Sequence, residues 1–153
     1  MSGSRIALAA LLALLVFSGP APAADDYALR DLDGKLHRAS EHRGKWLVIN
    51  FWATWCLPCL RAMPELEDYY RANRTRVEVW GVTFEDSELA KILEFVERVG
   101  VSYPILGYGQ SPQTGYGKVR VLPTTFVVDP EGELHHRFEG PITAADLRRV
   151  IGD

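Results

Sequence analysis

The chain has 153 residues, 47% of them hydrophobic and 24% charged, with a formal net charge of −3. That length suits one globular domain, and the composition is ordinary for a water-soluble one. No basic excess points to nucleic acid as a partner.

Met1 to Arg5 carries one positive charge, and Ile6 to Phe17 is an unbroken apolar run. Ser18-Gly19-Pro20 ends the run, and Ala21-Pro22-Ala23 offers a small-x-small cleavage signature. This is the pattern of a secretory signal peptide. The run is shorter than the roughly 20 residues that span a bilayer as a helix, so cleavage is expected over an uncleaved N-terminal membrane anchor. No cysteine stands at the cleavage region for lipid attachment. Residues 1–23 therefore read as a signal peptide and residues 24–153 as one domain. Removing the former takes away Arg5 alone among the 17 basic residues, moving the net charge from −3 to −4.

Tyr27 to Leu32 alternates loosely, Asp33-Gly34 signals a tight hairpin turn, and Lys35 to Arg38 is the return strand. Ser40 to Gly44 reads as one short helical turn. Trp46 to Phe51 is apolar without alternation, which predicts a strand buried on both faces. A helix follows from Cys56 or Leu57 to about Arg71. Pro58 fits its first turn, and Pro64 inside it should kink it. Val77 to Thr83 is a second strong strand. Asp86 or Ser87 can cap the next helix, whose core face would carry Leu89, Ile92, Leu93, Val96 and Val99, with Gly100 ending it. Val101 to Leu106 is a short extended segment, and Gly107 to Gly117 a loop or brief helix. Thr124 to Asp129 and Leu134 to Glu139 form an antiparallel pair around Pro130-Glu131-Gly132. Thr143 and Asp146 resemble a capping box before a last helix, Ala144 to Val150. This order implies an α/β fold with a mixed sheet covered on both faces.

The two cysteines are Cys56 and Cys59, at the end of the first strong strand. In an oxidising compartment two cysteines often form one structural disulfide. Here the closed loop would hold only Leu57 and Pro58, which constrains the unfolded chain little. Disulfide exchange is the stronger reading. The thiolate is the nucleophile, and a helix N-terminus favours it through free N–H groups and the positive dipole end. The spacing puts Cys56 at the exposed mouth and Cys59 one turn inside. Cys56 is therefore assigned as the attacking thiol and Cys59 as the resolving one. Trp52 and Trp55 either limit water access beside the thiols or serve as core aromatics. Pro58 stiffens the turn, and Leu57 offers neither charge nor donor to a thiolate.

Asn50-Phe-Trp-Ala-Thr-Trp-Cys-Leu-Pro-Cys59 resembles the active-site strand and turn of the TlpA-like (ResA-type) branch of the thioredoxin superfamily. Leu32-Asp-Gly34, Gly44-Lys45, Pro64 and Leu122-Pro-Thr-Thr-Phe-Val-Val-Asp-Pro-Glu-Gly132 extend the likeness over nearly all of residues 24–153. The resemblance implies a thioredoxin fold: a mixed central sheet flanked by helices, with an N-terminal β-hairpin and a helix–strand insertion at residues 86–106. It implies a periplasmic thiol–disulfide oxidoreductase that reduces disulfides of partner proteins, cytochrome c maturation being one such role. A membrane thiol protein would supply electrons, and a monomer is expected. It makes Cys56 and Cys59 the redox pair and Pro123 a cis-proline opposite them. The Leu122 backbone would face the partner, with Trp55 and Pro58 in support.

Three departures qualify the resemblance. Asn50 stands where minimal thioredoxins carry a buried aspartate, as is common in the TlpA-like branch. Ala62 stands where some reductases of the branch carry a glutamate, leaving Glu65, Glu85 or Asp86 as candidates to tune Cys59. Thr124 replaces the acidic residue of a subgroup devoted to cytochrome c maturation. No nicotinamide or flavin fingerprint appears, so no cofactor is expected beyond the redox-active disulfide. The alternative is a copper(I)-binding module using the same thiols, since two thiolates suit that ion. His37, His42, His135 and His136 read as exposed surface residues rather than ligands. Both redox cysteines argue against a non-catalytic interaction domain. No Pro-x-x-x-Thr-x-x-Cys arrangement supports a peroxidase.

Overall fold

The computed structural model of the chain describes residues 26–107 and 114–152. The expected signal peptide, residues 1–23, and residues 108–113 of the Gly107–Gly117 loop lie outside the described residues. In chain order the elements are β1 (Ala28–Arg30), β2 (Leu36–Arg38), a 3-10 turn (Ala39–His42), β3 (Trp46–Trp52) and α1 (Leu57–Asn73). There follow β4 (Val77–Thr83), α2 (Leu89–Val99), β5 (Ile105–Leu106), β6 (Thr124–Val128), β7 (Leu134–Glu139) and α3 (Ala144–Ile151).

Five strands form one sheet in the order β5-β4-β3-β6-β7, and β1 and β2 pair separately. β3 lies at the centre, parallel to β4 from Trp46↔Val77 to Trp52↔Thr83. It is antiparallel to β6 from Leu47↔Val128 to Phe51↔Thr124. Successive side chains of a strand point to opposite faces. Val48 and Trp52 accordingly meet Met63 and Leu66 of α1, Ile92 and Phe95 of α2, and Leu147 and Ile151 of α3. Leu47, Ile49 and Phe51 meet Tyr27, Leu29 and Ala39, with Tyr116, Val119 and Leu122 packed alongside. The non-alternating apolar run thus has its expected cause, a central strand covered on both sides. Among the described residues the helices share one face; the hairpin, the 3-10 turn and the segment before β6 cover the other.

The tight hairpin turn expected at Asp33-Gly34 is present: the Asp31 N–H donates to Lys35 O (2.9 Å), the Gly34 N–H donates to Asp31 O (3.0 Å), and Asp31 Oδ1 accepts the N–H of Asp33 (3.0 Å) and of Lys35 (2.9 Å). Two local expectations are corrected. α2 begins at Leu89, two residues later than a cap at Asp86 and one later than a cap at Ser87 would place it. Its N-cap is Glu88, with no side-chain cap, and the Ser87 hydroxyl donates to Glu85 instead. Leu93 is exposed, since Ile92 and Phe95 take the core positions. Gly100 closes α2 at φ 74°, a left-handed conformation that favours glycine, and its N–H donates to Val96 O at 2.9 Å. The Thr143/Asp146 capping box of α3 is present, with both reciprocal bonds made.

Glu67 of α1 is buried and ties the helix to the loop after α2. Its carboxylate accepts the Ser102 N–H and hydroxyl, each at 2.7 Å, and pairs with Arg71. Burial by itself would raise this carboxyl; the Ser102 donors and the Arg71 guanidinium outweigh it and hold it below its ordinary 4.5. A carboxyl depressed by folding contributes stability that is present above its unfolded value and lost as pH falls through its folded value. Glu67→Gln is expected to cost about 1–3 kcal/mol at pH 7. That deficit should shrink as pH drops below 4.5. Urea melts of both proteins at pH 7 and pH 3 check this.

Candidate redox site

β3 ends at Trp52, and Ala53-Thr54-Trp55 carries the chain round to Cys56, whose N–H donates to Ala53 O at 3.1 Å. Cys56 is the N-cap of α1, and Pro58 lies in the first turn, where its missing N–H costs nothing. The Cys56 carbonyl accepts from Cys59 N (3.0 Å) and Leu60 N (3.3 Å), and Cys56 Sγ accepts from Cys59 N (3.3 Å). Cys56 and Cys59 are joined as a disulfide, Cα to Cα 5.3 Å. The sulfur thus replaces the oxygen of an ordinary N-cap. On reduction the same N–H and the helix dipole face the sulfur of Cys56, which favours a thiolate there.

The expectation that Cys56 stands at an exposed mouth is corrected in degree. It is 4% exposed and Cys59 0%, both packed into the core that holds Trp52 and Met63. The two flanking tryptophans divide. Trp52 is fully buried and stacks on Phe95, centroids 5.0 Å apart, so it is a core aromatic. Trp55 is 69% exposed and Leu57 62% exposed, on either side of Cys56. Phe84, just after β4, and Val121, just before β6, are also exposed. Leu57 opens α1, and Trp55, Phe84 and Val121 sit on the loops at the same end of the sheet, where β3 and β4 finish and β6 begins.

The Leu122–Pro123 peptide is cis. Thr124 faces Phe51 across the sheet, so Leu122 and Pro123 extend beyond β6 toward the end of β3 and the redox turn. The Pro123 carbonyl accepts Gly140 N–H at 2.8 Å, and the buried Thr124 hydroxyl donates to Val121 O at 2.7 Å. Leu122 is half-buried, and its N–H and C=O make no backbone hydrogen bond among the described residues.

Asn50 is buried below the turn, its Nδ2 donating to Thr125 Oγ1 at 2.9 Å, while Oδ1 has no partner among the described residues. Ala62 is buried on α1, so a methyl group occupies the position where a carboxyl was sought. Of the three acids offered instead, Glu65 accepts the Ala144 N–H at the start of α3 (3.1 Å), and Asp86 is exposed. Glu85 binds the redox turn itself, accepting the Thr54 hydroxyl at 2.8 Å and the Thr54 N–H. The sequence pattern offered Glu85 only as one of three carboxylates; its register opposite Thr54 follows from the β3–β4 pairing.

Two histidines expected at the surface are not there. His37 is buried, with Nε2 2.7 Å from Asp31 Oδ2, and His42 is half-buried, edge-on to Trp80 at 5.4 Å. Burial pushes the His42 imidazole below its ordinary value. His135 and His136 are exposed on β7. Among the described residues no three His, Cys, Asp or Glu side chains are grouped to hold a metal ion. No helix among them is long and apolar enough to cross a membrane.

Residues 20–137 match the model of the AhpC/TSA family. The chain is 38% identical over 129 residues to thiol-disulfide oxidoreductase ResA of Geobacillus kaustophilus, covering 84% of this chain and 74% of that one. It is 31% identical over 121 residues to thiol-disulfide oxidoreductase ResA of Bacillus subtilis, covering 78% and 67%. Its fold superposes on a DsbF homologue from Corynebacterium diphtheriae with TM-score 0.73 and 26% identity, covering 82% of each chain. The chain belongs to the AhpC/TSA family and is a thioredoxin-like, ResA-type thiol–disulfide oxidoreductase.

Proposed function

We propose that this chain is an exported reductase of protein disulfides, acting as a monomer in the periplasm. Cys56 attacks and Cys59 resolves. The observation that carries the reading is the Cys56–Cys59 bond at the N-terminus of α1, with Cys56 Sγ facing the Cys59 N–H. In the reduced protein the Cys56 thiolate attacks one sulfur of the partner's disulfide and displaces a thiolate, which takes up a proton. The Cys59 thiolate then attacks Cys56 Sγ and releases the second partner thiol. Two electrons pass to the partner, and the protein is left in the disulfide form described above.

The exposed Trp55, Leu57, Phe84 and Val121 supply apolar contact for the segment around the partner's cysteine. The Leu122 backbone, unengaged among the described residues, can pair with that segment as an added strand. Pro58 holds the turn between the thiols. The Met1–Ala23 pattern supports export. A thiol donor in the membrane would return the disulfide to the dithiol. Cysteines destined for haem attachment are one partner class that the family likeness suggests, though Thr124 departs from the subgroup devoted to it.

The direction is tested by equilibrating the protein with glutathione. A potential toward the thioredoxin end, about −270 mV, is expected; one near −120 mV, the strongly oxidising end, overturns reduction as the role. Cys59→Ala expressed in the native host should accumulate mixed disulfides on Cys56 that release partners on treatment with dithiothreitol.

A further inference from the structure

We propose that Glu85 is a positioning residue for the redox turn, acting through Thr54 on the Cys56–Cys59 pair. The proposal rests on the exchange role assigned to those two sulfurs. Trp52 closes β3 with its carbonyl accepting the Phe84 N–H at 2.8 Å, the last tie between the β3 and β4 backbones before the redox turn. The next residue after Phe84 continues the link by side chain. Glu85 Oε1 takes the Thr54 N–H, and Oε2 takes the Thr54 hydroxyl at 2.8 Å together with the Ser87 hydroxyl. Thr54 lies inside the turn closed by the Cys56 N–H to Ala53 O bond, two residues before the attacking sulfur.

Both backbone and side chain of Thr54 are therefore gripped by one carboxylate. A carboxylate is an acceptor with about four lone-pair directions, and bonds to it are roughly twice as strong as neutral ones. Among the described residues Glu85 makes no ion pair, so its acceptor capacity is spent on this turn and on Ser87. Ser87 in turn gives up capping α2, which starts at Leu89 without a side-chain cap. The β4–α2 loop is arranged around this link rather than around the helix it precedes.

The consequence is chemical. Closing the Cys56–Cys59 ring depends on how narrowly the approach to Cys56 is held, because effective concentration falls as the approaching atoms gain freedom. Freeing Thr54 widens the range of Cys56 and favours the open dithiol over the ring. The charge of Glu85 is not the operative property; its acceptor geometry is.

The test compares Glu85→Ala and Glu85→Gln with the parent protein in glutathione equilibrium and in the rate of resolution of a preformed Cys56–glutathione mixed disulfide. Glu85→Ala is expected to lower the ring-closure constant about tenfold, an upward shift of about 30 mV, and to slow resolution similarly. Glu85→Gln keeps an acceptor for the Thr54 N–H and should recover to within about threefold of the parent. Thr54→Val, which removes the hydroxyl alone, should give a partial effect that does not add to that of Glu85→Ala. The proposal is overturned if Glu85→Ala leaves both quantities within twofold of the parent, or if Glu85→Gln is as impaired as Glu85→Ala. Loss of thermal stability without a shift in the equilibrium also overturns it, since that marks a merely structural link. A parent protein that fails to close the ring at all would instead sink the exchange reading itself.

Discussion

Cys56→Ser is expected to lower turnover of a protein disulfide by at least about a thousandfold, to the uncatalysed background. A serine hydroxyl at the N-cap keeps the helix start intact, since serine is a favoured capping residue and can accept the Cys59 N–H in place of sulfur. The fold should therefore survive with only the nucleophile gone. Cys59→Ser should behave differently. The Cys56 thiolate, still facing the N-terminus of α1, attacks once and stops, giving one equivalent of mixed disulfide and no second turnover. A burst of one partner thiol per protein with Cys59→Ser, and none with Cys56→Ser, confirms the assignment of roles; the reverse pattern would exchange them. Thiol release measured with a chromogenic disulfide distinguishes the two cases within a single experiment.

Trp52→Ala is expected to destabilise the protein by about 3–5 kcal/mol, among the largest effects of any single truncation here. The indole is fully buried, stacks on Phe95 at 5.0 Å with the rings 15° from parallel, and closes the helix-covered face of β3. Gly81 on the neighbouring strand leaves it room: a Cβ there would come within 3.2 Å of Trp52 Nε1 and within 2.9 Å of the Tyr103 ring. Loss of the indole leaves a cavity that this close-packed layer cannot collapse to fill. The denaturation midpoint in guanidinium should fall with the slope unchanged. Trp55→Ala, three residues on and largely exposed, should alter stability by no more than about 0.5 kcal/mol. Its effect belongs to the exchange rate with a protein partner, where an apolar contact beside Cys56 is lost. Two tryptophans in one motif thus separate a packing role from a contact role.

The contrast shows which parts of the site were legible in the chain. Trp52 and Trp55 look alike in sequence, and only the pleat of β3 and the turn after it decide that one faces α2 and the other solvent. Pro123 could be matched to the redox turn by resemblance, and the β3–β6 register is what extends it toward the end of β3. Leu93 falls at helical spacing with Leu89 and Val96, but an eleven-residue helix packed on one face buries a narrow stripe, and Leu93 lies beyond it. His37 escaped the surface because the Asp31 side chain organises the hairpin and gives its imidazole a partner, which residue type alone does not disclose.

Local and near-neighbour patterns in the sequence determined the strands, the three helices, the cap of α3 and the pairing of the two cysteines. Those features depend on side-chain period, on turn chemistry and on the three-residue spacing of Cys56 and Cys59, all of which act over one or two turns of chain. Tertiary structure alone decided which carboxylate meets the redox turn and how deeply the disulfide sits. It also decided which aromatic is core and what covers the second face of the sheet. Each of these depends on strand register between residues some 30 to 80 positions apart, as in Thr54 with Glu85 and Asn50 with Thr125. Register arises from the packing of the whole sheet, and a linear pattern carries no information on it until the strands are paired.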